Sequence, residues 1–324
     1  MSKAIRIHQV GGPEQLCWEE VEVPAPGPGE VLIRHTAVGL NFIDVYHRTG
    51  LYPLPLPATL GLEAAGVVEA LGAGVTELKP GDRVAYASPP LGAYAERRVI
   101  PAARLVPLPE GISDVQAAGM MLQGMTAQYL LRQTYRVMPG ETILFHAIAG
   151  GVGLIACQWA KHLGATVIGT VGSPAKAELA KAHGADHVID YTKEDFVARV
   201  KELTGGKGVP VVYDSVGKDT FMRSLDCLKM RGMLVSFGQS SGPVPPFDPN
   251  ILQTKGSLYL TRPTLMHYTA ERADLVASAA ELFEVVRQGD VRIEVRQTYP
   301  LAEAAQAHRD LEARKTTGST VFLV

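Results

Sequence analysis

The sequence predicts an α/β protein in which a doubly wound parallel sheet is inserted into a β-rich domain. Three observations carry that prediction. From about residue 125 onward, short apolar strands alternate with helices, and parallel strands need such crossovers. Before that point, short apolar runs are punctuated by proline and glycine turns. Between the first strand of the alternating region and the helix after it lies a run of small residues, Ala147-Ile-Ala-Gly-Gly-Val-Gly153.

The β-rich part contains the runs 31–35 (VLIRH), 65–70 (AGVVEA) and 83–87 (RVAYA). Its turns include Pro24-Ala-Pro-Gly-Pro-Gly29 and Lys79-Pro-Gly-Asp82, where proline presets φ and glycine accepts positive φ. The spacing predicts a partly open barrel or a sandwich. In the alternating part, strands are predicted at 142–146, 166–170, 187–190, 209–214 and 233–237. Helices are predicted at 151–163, 174–183, 194–203 and near 220–228. Gly164 and Gly184 stand just past two of these helices, where a left-handed cap is wanted. A last strand, 257–261, is expected at the sheet edge. The tail reads as helix 272–287, strand 291–297, helix 301–314 and strand 320–324, and is expected to return to the first domain. The predicted domains are therefore 1–124, 125–262 and a returning segment 263–324.

A chain of 324 residues is longer than one compact core usually holds, in keeping with two domains. The formal net charge is -2 and no lysine or arginine run exceeds two residues, which argues against nucleic acid as the main ligand. Cys17, Cys157 and Cys227 are far apart and odd in number, a pattern that disfavours a disulfide framework or a cysteine-rich zinc site. The first ten residues lack the apolar run of a secretory signal, and no 18-residue apolar stretch is long enough to span a bilayer. A cytoplasmic location is the expectation. The H-E-x-x-H, G-x-S-x-G and P-loop patterns are all missing.

The small-residue loop is where chemistry first becomes legible. A dinucleotide pyrophosphate needs main-chain N–H groups and a positive helix end close to its oxygens, and side chains would block that approach. Ala147, Gly150 and Gly153 are spaced A-x-x-G-x-x-G, with Gly151 and Val152 between the last two. By itself this pattern also fits a plain tight turn; its placement between strand and helix, with further strand–helix periods behind it, favours a dinucleotide. An NAD site usually places Asp or Glu about 20 residues on, at the ribose hydroxyls. Here that place reads Thr170-Val-Gly-Ser-Pro-Ala-Lys176, with no acid. Gly172 and Ser173 leave room and offer donors, and Lys176 offers charge for a 2′-phosphate. The expected cofactor is NADPH, the other reading of Lys176 being a solvated helix lysine. His146, just before the loop, reads as a strand-end residue satisfied by backbone.

Several further segments carry a family resemblance along essentially the whole chain. They are Val38-Gly-Leu-Asn-Phe-Ile-Asp-Val-Tyr-His-Arg-Thr-Gly50, Pro80-Gly-Asp-Arg83, Pro139-Gly-Glu141, the glycine loop followed by Gln158 and Lys161, Tyr213-Asp-Ser-Val-Gly217 and Ser236-Phe-Gly238. The sequence resembles the quinone oxidoreductases of the zeta-crystallin-like branch of the medium-chain dehydrogenase/reductase superfamily, and looks closest to the bacterial NADPH:quinone reductases of that branch. The resemblance implies a GroES-like catalytic domain, a Rossmann domain, and a homodimer paired through a late edge strand such as 257–261. Metal-dependent relatives carry a Gly-His-Glu segment, whereas this chain has Gly61-Leu-Glu63, and the family's cysteine lobe is absent. A leucine cannot ligate zinc, so no metal is expected, and Glu63 is expected to accept hydrogen bonds in the domain interior.

The resemblance also implies site residues. Asn41 would donate to the nicotinamide or to the substrate oxygen, or else only stabilise a turn. Tyr46 and Tyr52 would offer a flat wall and a phenol for a planar ring, or else pack the interior. Arg262 would face the pocket or lie solvated at a strand end. For the cofactor, Thr126 is placed toward the nicotinamide and Tyr191 toward the adenosine. Ser215, Phe237 and Gly238 end the fourth and fifth strands, at the crevice where such sheets bind ligands, or else Phe237 simply packs the core. Arg314, with Lys315, would reach the 2′-phosphate, or else form a solvated helix end. The predicted function is NADPH-dependent, metal-free hydride transfer to a small-molecule quinone or similar conjugated carbonyl. The alternative is NADPH-dependent reduction of an alkenal or enone double bond. A third reading, an RNA-binding or crystallin-like structural role, has the charge pattern against it.

Overall fold

The computed structural model describes residues 2–324. The chain divides into two compact units. The first consists of Met1–Met125, Thr269–Arg287 and Ile293–Val324; the second of Thr126–Tyr268 and Gln288–Arg292. No helix is long and apolar enough to cross a membrane among the described residues.

The second unit is built on a six-stranded sheet, all of whose neighbours run parallel. Its spatial order is His187–Asp190, Thr166–Val171, Thr142–Phe145, Val209–Asp214, Leu228–Ser236 and Tyr259–Thr261. In sequence order this is 3-2-1-4-5-6, the doubly wound order of a dinucleotide-binding fold. The order reverses between Thr142–Phe145 and Val209–Asp214, which pair at Phe145 and Tyr213. Ligands of such sheets bind outside the carboxyl ends of the strands at that point. Strand Val209–Asp214 is buried on both faces, as a central parallel strand covered by helices must be.

In the first unit a seven-stranded sheet is organised around the long strand Glu30–Leu40, which pairs with Glu63–Leu71, Arg97–Pro101 and the C-terminal strand Ser319–Leu323. The tail thus returns to the β-rich part. A core of Ile5, Ile7, Val31, Ile33, Tyr86, Tyr94, Ile100 and Phe322 fills the interior.

Three differences from the sequence expectations have physical causes. The strand expected at 291–297 lies at Val295–Pro300. The alternating apolar residues Val291 and Ile293 imitate a strand, but the main chain of Arg292 is satisfied by a side chain. Gln158 Oε1 accepts its N–H at 2.9 Å and Gln158 Nε2 donates to its carbonyl at 3.0 Å. The strand expected at 233–237 begins earlier, at Leu228, because Lys229, Met230 and Arg231 are exposed in it and read as a loop. The last helix is shorter than 301–314: a 3-10 turn, Leu301–Glu303, precedes Ala304–Glu312. Arg314, with φ of 59°, is too left-handed to continue it.

One polar network crosses the first unit's interior. Arg48, 1% exposed, donates to both carboxylate oxygens of Glu312 at 2.9 and 2.8 Å and to the carbonyl of Gly11 at 3.1 Å. A guanidinium left there without its carboxylate would be a buried, uncompensated charge. Glu312→Ala is therefore expected to lower unfolding stability by about 2 kcal/mol, less than for a fully buried pair because the glutamate end reaches solvent. Urea denaturation checks this: the midpoint should fall with the slope unchanged.

Candidate active site

In the second unit, strand Thr142–Phe145 ends at His146, and helix Gly151–His162 starts five residues on. Gly150 is the N-cap of that helix and no side chain caps it. The first intrahelical bond after it runs from Leu154 N to Gly150 O at 2.9 Å, so the N–H groups of Gly151, Val152 and Gly153 belong to the turn that a helix leaves unpaired. The loop is tightly folded beneath them. A Cβ on Gly153 would stand 2.5 Å from the carbonyl oxygens of both Ala147 and Ile148. Gly169, which sequence reasoning passed over, allows Ile148 to pack onto the neighbouring strand; a Cβ there would stand 2.5 Å from Ile148 Cγ2. Its signal was a glycine inside a strand, a mark of close backbone approach.

Ala147 holds φ at 54°, a left-handed conformation that costs a non-glycine residue energy. Its N–H lies 3.4 Å from Thr170 Oγ1, which lies 2.9 Å from His146 Nδ1. His146 Nε2 lies 3.0 Å from Ser224 Oγ, which donates to Asp214 Oδ2 at 2.9 Å. Since the serine hydrogen goes to Asp214, the imidazole must donate from Nε2 and accept at Nδ1. Burial lowers its pKa below the ordinary value, which keeps the ring neutral in that tautomer. The ring is thus held by side chains rather than by backbone, a correction to the sequence expectation. It forms the floor under the loop.

The other candidates of this unit gather around the same strand ends. Ser215 follows Val209–Asp214, and its carbonyl would stand 2.7 Å from a Cβ on Gly238. Phe237 packs its ring 5.6 Å from that of Phe145. Arg262 is exposed and donates from Nη1 to the Ser236 carbonyl at 2.8 Å, which places it at the end of the fifth strand. At the end of the second strand, Tyr191 lies over Gly172, where a Cβ would collide with its hydroxyl. Ser173 caps helix Pro174–Ala182, its Oγ accepting Lys176 N at 3.4 Å. Lys176 is half-buried in the first turn of that helix. Thr126 is buried within helix Met121–Tyr129, apart from this cluster in the chain.

In the first unit, Asn41 is the N-cap of the short helix Phe42–Arg48, which carries Tyr46. Tyr46 and Tyr52 meet edge to face with ring centroids 5.3 Å apart. Asn41 is buried, and its amide is engaged on both sides. Asn41 Nδ2 lies 2.6 Å from Glu63 Oε2, and Gln123 Nε2 lies 3.1 Å from Asn41 Oδ1. Glu63 Oε1 accepts the N–H of Leu122 at 2.8 Å. Burial pushes Glu63 up to about 8. Asp44 accepts from Asn41 N at 2.9 Å and from Tyr94 Oη at 3.0 Å, and burial pushes it up to about 7. Gln123 and Asp44 were not singled out in the sequence. Arg314 belongs to this unit too, in the exposed turn after helix Ala304–Glu312.

The strand order and the bare helix start define a doubly wound protein of the dinucleotide-binding class. Comparison with known proteins gives the family. The models "Alcohol dehydrogenase GroES-like domain" and "Zinc-binding dehydrogenase" match residues 27–110 and 151–281. A quinone oxidoreductase of Pseudomonas aeruginosa is 59% identical over 324 residues, covering 100% of both chains. A 2-haloacrylate reductase of a Burkholderia species is 50% identical, covering 100% of this chain and 99% of the relative. The solved structure of Escherichia coli quinone oxidoreductase complexed with NADPH superposes with a TM-score of 0.98 at 51% identity, covering 99% of this chain and 100% of that one. The chain belongs to the quinone oxidoreductase family of the medium-chain dehydrogenase/reductase superfamily.

The zinc named in one family model does not fit these residues. Leu62 stands where a ligating histidine would, and both oxygens of Glu63 already meet amide groups. No group of three or more His, Cys, Asp or Glu converges on a point among the described residues.

Because Asp44 titrates near 7 when folded and near 3.8 otherwise, its contribution to stability is complete below pH 3.8 and is lost as pH rises through about 7. Buried His35 and His308, each pushed down to about 3, act in the opposite sense. A difference measurement isolates the carboxyl. The stability of the parent protein relative to Asp44→Asn should fall between pH 4 and about pH 7 and stay level above, as read from urea midpoints across pH.

Proposed function

We propose that this protein catalyses NADPH-dependent reduction of quinones by hydride transfer without a metal. The observation that carries the reading is the helix start at Gly151, which no side chain caps and which is set at the switch point of the sheet. When bound, NADPH supplies a hydride from the C4 carbon of its nicotinamide ring. The main-chain N–H groups of Gly151, Val152 and Gly153 hold the pyrophosphate, with Ala147 and Gly150 shaping the approach. Gly172 and Ser173 offer main-chain and hydroxyl donors to a phosphorylated ribose, Lys176 supplies the countercharge, and Arg314 adds to it. Tyr191 lies against the adenosine side. Ser215, Phe237, Gly238 and Thr126 are assigned to the nicotinamide side. Asn41 offers a donor to the nicotinamide or the acceptor oxygen, where negative charge grows as hydride arrives. Tyr46 and Tyr52 present an aromatic wall, Arg262 faces the pocket, and the Tyr52 phenol or solvent returns the proton.

A quinone suits this set of residues because its reduced anion is already stabilised by the ring. The site therefore needs alignment and water exclusion more than Lewis-acid polarisation. The E. coli relative solved with NADPH supports the choice of cofactor. The 2-haloacrylate reductase supports a second reading, hydride delivery to the double bond of a conjugated acid or enone, by the same residues.

The reading extends to assembly and location. Tyr259 on the edge strand and nearby Met230 are 58% and 79% exposed, an apolar edge suited to pairing two copies of the chain. The three cysteines are free, in keeping with the cytoplasm.

Steady-state kinetics tests the function. With NADPH, 1,4-benzoquinone and 9,10-phenanthrenequinone should be reduced faster than an alkenal; the reverse order selects the second reading. Lys176→Ala should raise KM for NADPH about tenfold, the worth of one charge-assisted contact, and leave KM for NADH unchanged. Equal losses with both cofactors contradict the assignment of Lys176.

A further inference from the structure

The buried chain around Glu63 contains a hydrogen-bond count that closes in only one direction. Ser319 Oγ lies 2.6 Å from the Gly119 carbonyl and 2.7 Å from Gln123 Oε1. A hydroxyl has one hydrogen, so it cannot donate to both oxygens. A half-turn of the Gln123 carboxamide removes the conflict, because nitrogen and oxygen exchange places with no other movement. Gln123 then donates to Ser319 Oγ, and Ser319 donates to Gly119. The oxygen of Gln123 now faces Asn41, across the 3.1 Å contact, and demands an N–H there. Asn41 must make the same half-turn, which withdraws its oxygen from the Asp44 N–H at the helix start and leaves that N–H on the Asn41 carbonyl at 3.0 Å; the turn puts the Asn41 oxygen against Glu63 Oε2 at 2.6 Å. Two oxygens at that distance require a hydrogen between them, and the only group able to bring one is Glu63. The separation is short for an N–H donor and ordinary for an O–H donor.

We propose that Glu63 is a positioning residue for the reaction: as a neutral acid it donates to the Asn41 oxygen and directs the chain Glu63 to Asn41 to Gln123 to Ser319 to Gly119. The consequence falls on Asn41. Its oxygen is committed to Glu63 and one N–H to Gln123, so the group it holds out to a ligand is its second N–H, at the Gln123 end. Ionised Glu63 would reverse every link and move that N–H to the Glu63 end.

The surroundings favour the neutral acid. Glu63 is fully buried, and no lysine or arginine pairs with it. The ionisable groups that act on or beside it are Asp44 from helix Phe42–Arg48, Tyr86 from strand Arg83–Ala87 and Tyr94 from the segment after that strand. Positive charge lies one group further out, with Arg98 donating to Tyr86 Oη at 3.3 Å and Arg48 acting on Tyr94 while paired to Glu312. The remaining oxygen, Oε1, accepts from Leu122 N in either protonation state, which anchors the carboxyl so that only Oε2 can carry the hydrogen.

The effect on turnover rests on the role given to Asn41 above, so the experiment reads the two separately. Infrared difference spectra between the whole parent enzyme and Glu63→Gln at pH 7 report the carboxyl directly. The band of a protonated carboxyl should be present in the parent and lost in the variant. Carboxylate bands in its place overturn the proposal. The pH dependence of kcat/KM then reports the coupling to Asn41. The parent should lose activity above about pH 8, as Glu63 ionises, and Glu63→Gln should lack that alkaline limb, since its amide keeps a donor toward Asn41 at every pH. Glu63→Ala should lose about tenfold in kcat/KM, and Glu63→Gln should restore most of it. If Glu63→Ala fails to fold, the spectra and the two pH profiles decide alone. A protonated carboxyl with no change in the alkaline limb confirms the acid and refutes the part given to Asn41.

Discussion

Everything in the nucleotide-binding unit depends on one constraint: a helix that starts without a side-chain cap at the point where the strand order of the sheet reverses. Helices ordinarily satisfy their first N–H groups with Ser, Thr, Asp or Asn, as Ser173 and Asp195 do elsewhere in this unit. At Gly150 that provision is withheld. The unit supports the omission in other ways. Gly153 lets the helix press against the loop carbonyls, Gly169 admits Ile148, and the His146–Thr170–Ser224–Asp214 network holds the strained Ala147 from beneath. A site that leaves polar groups unpaired must be rigid, because a flexible loop would close over them.

The first unit applies a different logic. Its candidate groups are uncharged or kept so by burial. Asn41, Tyr46 and Tyr52 are neutral, while Glu63 and Asp44 are buried carboxyls pushed toward their acid forms. Arg48, a deeply buried charge near these groups, is neutralised by Glu312. Such surroundings penalise a charged group that lacks a partner. Both oxygens of Glu63 meet amide groups rather than charged partners.

Much of this was legible in the sequence. The alternation of strands and helices from 142 onward gave the parallel sheet, since a period of two switching repeatedly to one of 3.6 has few other readings. The small-residue loop was legible because its chemistry demands missing side chains, and absence of bulk is written directly in residue type. Ser173 stands out in the sequence as a helix start before Pro174, and the structure makes it the cap of that helix. What escaped was set by partners far along the chain. Residues 291–293 alternate like a strand, yet Gln158, more than a hundred positions away, takes over the backbone bonds of Arg292. The strand starting at Leu228 hid behind exposed Lys229, Met230 and Arg231, which pattern rules assign to a loop. Asp44 and Gln123 gave no signal, because their importance comes from contacts with Tyr94, Asn41 and Ser319 that only folding makes. Asn41 was found by family likeness; that its amide is caught between Glu63 and Gln123 was not.

The account stands or falls on whether a pyrophosphate occupies the crevice at Gly151. Titration calorimetry of the intact protein with NADPH measures this most directly. The prediction is saturable heat at one molecule per chain, abolished in Gly153→Ala, whose added methyl meets the carbonyls of Ala147 and Ile148 and displaces the loop. Heat of binding that survives that substitution unchanged, or none from the parent protein at all, would contradict it.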